Sequence, residues 1–293
     1  MKIKPWIEAM RLRTLPVSAA GVIAAAGCAA HYGSFKPLPW TICLIFAVMA
    51  QIVSNFANEY FDFRNGLDRK GRDGFRRGVT EGDITPAAMR NATFGLLAAT
   101  CAVGCSLIWW GGWWLVFVGI AIALFAIAYS AGPYPLSHHG LGDIAVVIFF
   151  GIVPVIMTTY IQTGSWEMIP VTLPVSVAVG LMGANVLIVN NYRDMDEDKA
   201  VGKKTTVVIF GRKKMATDYL LNGFIALALI EYATIATLPV LWQTGMLVYI
   251  NIHYLLWTQL RNGSGKQLNP LLGKTAMLML FVSAWLLASM SFR

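Results

Sequence analysis

Two acidic clusters sit at the ends of apolar runs. They read Asn58-Glu-Tyr-Phe-Asp62-Phe-Arg-Asn-Gly66-Leu-Asp68 and Asn190-Asn-Tyr-Arg193-Asp194-Met-Asp-Glu-Asp198. An ionised carboxylate at membrane depth costs about 2.5–3.5 kcal/mol on insertion scales, and several together repel one another. Such clusters persist where something cationic sits between them, and an oxygen-only ligand set suits Mg²⁺. Mg²⁺ in turn implies a phosphorylated substrate. Asn58 and Asp62 are four residues apart and so share one helix face. Asn190, Asp194 and Asp198 repeat that spacing over two turns. Each set is a ladder of oxygen ligands, and Asp68, beyond a turn at Gly66, can curl back towards the first. The asparagines add neutral ligands. Cations flank both ladders: Arg76 and Arg77 follow the first, Arg193 lies beside Asp194, and Lys203 and Lys204 follow the second. Arginine forks onto two phosphate oxygens and lysine supplies a point charge. Acids for Mg²⁺ beside bases for phosphate describe a site for a diphosphate leaving group, whose developing charge a metal would stabilise.

Other polar residues read more plainly. Arg64, Arg69, Lys70, Arg72, Asp73, Glu81, Asp83, Asp196, Glu197, Lys199 and Lys213 are expected on solvated surface. His138 and His139 read as loop polarity. Cys28, Cys43, Cys101 and Cys105 all fall in apolar runs and read as core thiols. Trp109, Trp110, Trp113 and Trp114 read as an interfacial belt on the outer side.

The elements that must carry these ladders are membrane helices. The chain is 57% hydrophobic and 13% charged, with a mean hydropathy of +0.60, which excludes an ordinary soluble domain. About nine apolar windows of roughly 20 residues can span a bilayer: 15–32, 39–61, 88–108, 112–130, 143–163, 169–192, 217–237, 240–258 and 272–291. Long continuous runs argue for helices and against a β-barrel. The N-terminal run is read as a retained first span, not a cleaved signal. With nine spans, all of the 23 Lys and Arg residues except Lys36 and Arg293 fall on one side. The positive-inside rule then puts the N-terminus in the cytoplasm and the C-terminus outside, so the net charge of +8 sets topology and does not point to nucleic acid.

Asn58-x-Tyr-x-Asp62 and Asn190-x-Tyr-x-Asp194 share residues and spacing at the ends of the second and sixth windows. The expected fold is therefore all-α and polytopic, two four-helix units of one orientation plus one helix. An even number of spans per unit places both acidic segments on the same face, unlike an inverted repeat. A single domain over 1–293 is expected, with aspartate-rich cytoplasmic loops at 62–87 and 193–216.

At this point the motifs are similar to a known family. Asn58-x3-Asp62-x5-Asp68 and Asn191-x-Arg193-Asp194-x3-Asp198-x3-Gly202-Lys203-x-Thr205 resemble the two aspartate-rich signatures of the UbiA-type intramembrane prenyltransferase superfamily. The five-residue gap before Asp68 resembles the branch that prenylates 1,4-dihydroxy-2-naphthoate in menaquinone biosynthesis. So do Arg11-x-Arg13-Thr14-Leu15-Pro16, Tyr129-Ser-Ala-Gly-Pro133-Tyr134-Pro-Leu-Ser-His-His-Gly140-Leu-Gly142-Asp143, and Leu268-Asn-Pro-Leu-Leu-Gly-Lys-Thr275. Glu59 and His139 depart from the pattern. The resemblance implies Mg²⁺-dependent transfer of a polyprenyl group from polyprenyl diphosphate to the naphthoate, with loss of CO₂ and diphosphate, giving demethylmenaquinol. An allylic cation formed on ionisation is attacked by the electron-rich ring, without a dedicated general base. It implies Asp62, Asp68, Asp194 and Asp198 as catalytic metal ligands. Asn58, Asn190 and Asn191 would assist at metals or phosphates, and Arg77, Arg193 and Lys203 would hold phosphate oxygens. Tyr129, Tyr134 and Arg13 are implied on the acceptor side. A bacterial cytoplasmic membrane, with the site facing the cytoplasm, follows from the same resemblance. Rival readings are a sister enzyme acting on 4-hydroxybenzoate, homogentisate or haem, and a cation-coupled transporter. A CDP-alcohol phosphotransferase needs an Asp-Gly-x2-Ala-Arg core that this sequence lacks. A transporter would carry its acids at mid-span beside broken helices.

Overall fold

Apolar runs of this length must satisfy their own backbone hydrogen bonds in lipid, and they do so as helices. The computed structural model describes residues 3–234 and 244–291, and among them there is no strand. The helices are α1 (Ile3–Met10), α2 (Leu15–His31), α3 (Pro37–Arg64), α4 (Gly78–Glu81), α5 (Pro86–Ser106), α6 (Ile108–Gly111), α7 (Leu115–Ala128), α8 (Gly142–Val146), α9 (Val153–Thr163), α10 (Ile169–Ala200), α11 (Thr206–Thr234), α12 (Gly245–Asn262) and α13 (Asn269–Ser291). A π-helical stretch, Val147–Ile152, joins α8 to α9.

Prolines open the long helices where a missing N–H costs nothing: α3, α5 and α10 each carry one in the first turn. Thr85 caps α5 by accepting from the Ala88 N–H at 3.2 Å. The two acid-bearing helices end alike. After α3, Gly66 is left-handed (φ 68°), the Gly66 N–H reaches Phe63 O and the Leu67 N–H reaches Asp62 O. After α10, Gly202 is left-handed (φ 76°), with Gly202 N–H to Lys199 O and Lys203 N–H to Asp198 O. Both are Schellman caps, in which glycine accepts the left-handed conformation without a Cβ penalty.

α10 is the central element. It packs against α11, α13, α2 and the π-helical stretch, while α2 also packs on α13 and α3 on α5. Val179, Met182 and Val186 of α10 meet Tyr219 of α11 and Met279 of α13 in the main core. The π-stretch touches α10 through glycine on both sides: a Cβ on Gly151 would stand 2.4 Å from the Gly180 Cα. A second core, with Ala9, Phe56, Val79 and Met89, seats α1 and α4 against α3 and α5.

Six segments among the described residues are long and apolar enough to cross a membrane: Ile3–His31, Pro37–Arg64, Pro86–Gly111, Gly142–Thr163, Ile169–Ala200 and Gly265–Ser291. The sequence reading counted nine. The window at 112–130 became α7, an apolar helix of 14 residues, about 21 Å long. Window 217–237 lies on α11, which continues upstream through Arg212, Lys213 and Lys214 past a break at Gly211. The ends of windows 217–237 and 240–258, with Lys2 and Arg293, lie outside the described residues. The expected loop at 193–216 is corrected by the structure. α10 runs on to Ala200 and α11 begins at Thr206, leaving only 201–205 as a connection, because the i,i+4 ladder is itself continuous helix. The thiol reading is half corrected: Cys28 and Cys43 are buried, whereas Cys101 and Cys105 are exposed on α5. Of the four tryptophans read as a belt, Trp109 and Trp113 are exposed, whereas Trp110 and Trp114 pack against a core with Leu107, Leu115 and Ile161.

Candidate active site

One cavity of about 380 Å³ runs between the helices, and its lining changes character along α3. Cys43, Phe46, Ala47 and Ala50 line it first, then Gln51, Ser54 and Asn55, and finally Asn58 and Asp62. That ordering covers roughly 28 Å of helix at 1.5 Å per residue. The polar end also receives Asn190, Asn191, Arg193, Asp194 and Asp198 from α10, Lys203 from the following turn, and Arg11, Arg72 and Arg77. Val22, Cys43, Leu107, Leu115 and Ile161 wall the apolar end, and Phe125, one turn before Tyr129, stacks on Phe149 at 3.6 Å.

The two ladders face this shared space and are tied by cations. Asp62 is fully buried. Its Oδ2 accepts from Lys203 Nζ at 2.9 Å and from Asn58 Nδ2 at 3.2 Å, and its Oδ1 lies 3.5 Å from His138 Nε2. Asp68 does curl back: its Oδ1 accepts from Arg72 at 2.6 Å, and its Oδ2 lies 3.4 Å from Arg77 Nε. The other end of Arg72 donates to Asp194 Oδ2 at 3.0 Å. One guanidinium therefore spans the first and second acid sets. Asp194 also takes both forks of Arg193, at 2.6 and 2.8 Å. Arg193 in turn donates to Asn190 Oδ1 at 2.8 Å and to Asn269 Oδ1 at 3.1 Å. Asn58 Oδ1 accepts from Arg77 at 2.8 Å and also from Arg11, and Asn58 Nδ2 donates to Ser130 at 3.0 Å. Asp198 and Asn191 line the cavity with no side-chain hydrogen bond among the described residues. Burial pushes the Asp68 carboxyl above the usual carboxylate range, against the pull of Arg72. Burial works against the Arg72 charge, but Asp194, Asp68 and Glu197 more than offset it and raise its pKa.

The donor set fits Mg²⁺ carried on a diphosphate. Asp62 Oδ1 and Asp68 Oδ2 are buried without a hydrogen bond, as are Arg77 Nε and Nη1. Buried polar atoms of this kind ordinarily have partners. No three His, Cys, Asp or Glu side chains converge as a ready-made cage among the described residues. Mg²⁺ does not require one: one or two carboxylates plus substrate phosphate oxygens and waters complete its shell.

The cavity gathers Asp62, Asp194, Asp198, Asn58, Asn190, Asn191, Arg77, Arg193, Lys203 and Tyr129, with Asp68 joined to it through Arg72 and Arg77. It does not gather Tyr134 or Arg13. The Ser137 hydroxyl and N–H both bond Tyr129 O, closing the intervening loop. That leaves Tyr134 at its tip, 57% exposed and stacked on His139. Arg13 is exposed, two residues on from the arginine that does enter, Arg11. Arg72 and Glu197, expected on the surface, have side chains only 12% and 13% exposed. Arg72 could have been found from its i,i+4 spacing to Asp68. His138 could not, because its approach to Asp62 depends on a long-range bond from the Lys204 N–H to His138 O.

A profile of the UbiA prenyltransferase family matches residues 19–285. The chain is 34% identical over 246 residues to the 1,4-dihydroxy-2-naphthoate octaprenyltransferase of Escherichia coli (strain K12), covering 81% of this chain and 79% of that one. It is 32% identical over 285 residues to the enzyme of that name from Mycobacterium tuberculosis, covering 97% and 94%. In fold it resembles a UbiA homolog from Archaeoglobus fulgidus bound to GPP and Mg²⁺, with a TM-score of 0.66, 16% identity, and coverage of 95% of this chain and 99% of that one. It also resembles the apo structure of a UbiA homolog from Aeropyrum pernix K1, with a TM-score of 0.70, 17% identity, and coverage of 90% and 94%. A bundle of apolar helices with paired aspartate ladders, matched along nearly its whole length, belongs to the UbiA prenyltransferase family, and the chain is an integral membrane prenyltransferase.

Proposed function

We propose that this chain transfers a polyprenyl group from polyprenyl diphosphate to 1,4-dihydroxy-2-naphthoate, releasing diphosphate and CO₂ and giving demethylmenaquinol. The observation that carries the reading is the amphipathic cavity, acidic and basic at one end and apolar at the other, which matches a diphosphate with a hydrocarbon tail. The naphthoate acceptor rests on the names of the relatives in Escherichia coli and Mycobacterium tuberculosis.

Asp62, Asp68, Asp194 and Asp198 would hold Mg²⁺, and Asn58, Asn190 and Asn191 would assist them. The bound metal supplies positive charge where negative charge gathers on the departing diphosphate. Arg77, Arg193 and Lys203 grip phosphate oxygens, and Arg72 joins them when it leaves its bridge between Asp68 and Asp194. Each has a carboxylate partner here, so transfer to phosphate exchanges one anion for another and leaves no buried charge alone. Phe125, Phe149 and Tyr129 offer an aromatic wall beside the polar end, where a flat ring can meet the allylic carbon while water is kept out. The cavity as a whole lies in one domain, with its polar end towards the cytoplasm of a bacterial membrane.

The test is an assay of purified protein with polyprenyl diphosphate and a panel of aromatic acids, reading product mass and CO₂ release. Naphthoate prenylation with equimolar CO₂ is expected. Turnover of 4-hydroxybenzoate or homogentisate instead would overturn the acceptor assignment, and uptake into sealed vesicles without any product would overturn the reaction.

A further inference from the structure

Among the cations that line the cavity, Arg11 alone of those described has no carboxylate at ion-pair distance. Arg72, Arg77, Arg193 and Lys203 each lie 2.6–3.4 Å from an aspartate oxygen. Arg11 lines the same cavity and has no ion-pair partner among the described residues. Its Nη2 donates to Asn58 Oδ1, a neutral acceptor it shares with Arg77. Its backbone is also unusual, for among the described residues it alone is a non-glycine residue with positive φ, at 52°. The left-handed conformation costs an L-residue about 1–2 kcal/mol and persists where the surroundings over-determine it. Here the Thr14 N–H and hydroxyl both bond Arg11 O at 2.9 Å. The resulting turn separates α1 from α2 and sends the Arg11 side chain inward. A guanidinium that faces a cavity with no carboxylate at ion-pair distance among the described residues is a seat for an anion, and its planar fork suits a carboxylate.

The diphosphate already has four cations and the metal to meet it. Asn58, which accepts from Arg11, also donates to Ser130 at 3.0 Å, the neighbour of Tyr129, one turn beyond the Phe125–Phe149 stack. We propose that Arg11 binds the carboxylate of the aromatic acceptor and so selects aromatic acids over the same rings without the acid. The inference rests on the reading above of the chain as a prenyltransferase of an aromatic acid.

The experiment compares the purified full chain with its R11Q and R11K variants. Binding of 1,4-dihydroxy-2-naphthoate and of 1,4-dihydroxynaphthalene, which lacks the carboxylate, is followed by calorimetry without prenyl diphosphate. The wild-type protein is expected to prefer the acid by at least about tenfold, the value of one charge-assisted fork. R11Q should lose that preference through weaker acid binding alone, with the diol affinity and the KM for prenyl diphosphate unchanged. R11K, which keeps the charge without the fork, should retain part of it and decides the matter if R11Q does not fold. A raised KM for prenyl diphosphate with acid binding intact would assign Arg11 to the other substrate and overturn the proposal. So would equal binding of acid and diol by the wild-type protein. Prenyl transfer to no aromatic acid at all would instead remove the functional reading beneath it, whatever the binding preference.

Discussion

At the scale of single residues, the polar end of the cavity is a network of paired charges. Asp62, Asp68 and Asp194 are each paired with arginine or lysine, so removing one of these carboxylates is expected both to disable chemistry and to strand a cation. Asp62→Asn leaves Lys203 without its carboxylate. Losing such a partner costs about 1–3 kcal/mol of stability, and losing charge stabilisation on the leaving group lowers kcat by about 10²–10³-fold. Steady-state kinetics and a thermal melt of the purified variant read both effects, and undiminished kcat would remove Asp62 from the metal site. Arg72→Lys is expected to act differently. A lysine cannot span Asp68 and Asp194 with two forks as Arg72 does. The KM for prenyl diphosphate should rise by about tenfold or more, as for one charge-assisted hydrogen bond, while thermal stability falls. An unchanged KM would confine Arg72 to structure.

At the scale of elements, the acid helices are set by how they stop. Asp62 and Asp198 occupy the same place in two Schellman caps, the residue whose carbonyl accepts the closing N–H. The cap after α10 carries Lys203, whose ammonium reaches Asp62 on α3. Gly202→Ala should therefore disturb the site as well as the helix end. A Cβ at φ 76° costs about 1–2 kcal/mol, and displacement of Lys203 should raise the KM for prenyl diphosphate. A melt without a kinetic change would separate the two roles. Gly151 tests the opposite helix contact. Alanine there meets Gly180 Cα at 2.4 Å, so the π-helical stretch must move off α10, at a cost of about 1–3 kcal/mol for overpacking. The measurement is loss of folded protein on mild heating in detergent.

At the scale of the whole molecule, an amphipathic cavity between helices explains how a water-soluble headgroup and an oily tail share one site. Chelation with EDTA should abolish transfer and added Mg²⁺ should restore it, with the fold unchanged by circular dichroism. Activity that survives complete chelation would contradict the metal assignment. Charge predicts the orientation, since Lys and Arg gather beside the acidic helix ends and basic segments tend to stay in the cytoplasm. A reporter fused at the N-terminus should read cytoplasmic and one fused after Arg293 should read outside. Both on the same side would mean an even number of crossings, and the count of nine would fall.

The sequence by itself determined the solvent, the all-helical class and the ladders. Hydropathy this high leaves the backbone no alternative to helix in lipid, and i,i+4 spacing puts Asn58 with Asp62, and Asn190 with Asp194 and Asp198, on single faces whatever the packing. Local rules also reached the turn at Gly66, whereas Gly202 lay in a stretch read as loop and proved to be the cap of α10. The tertiary structure decided which cations answer which acids. Arg72 looked like surface because its charge is ordinary for a loop. It became a bridge only when residues 65–77 folded over α10. Arg11 and Arg13 differ by two positions in a chain that offers no reason to prefer either, and one left-handed backbone angle turns the first inward. His138 and Tyr134 share a loop, yet only His138 meets Asp62, since a hydrogen bond to the turn after α10 fixes which side faces in. Long-range pairings of this kind depend on how helices pack, and local spacing carries no record of that.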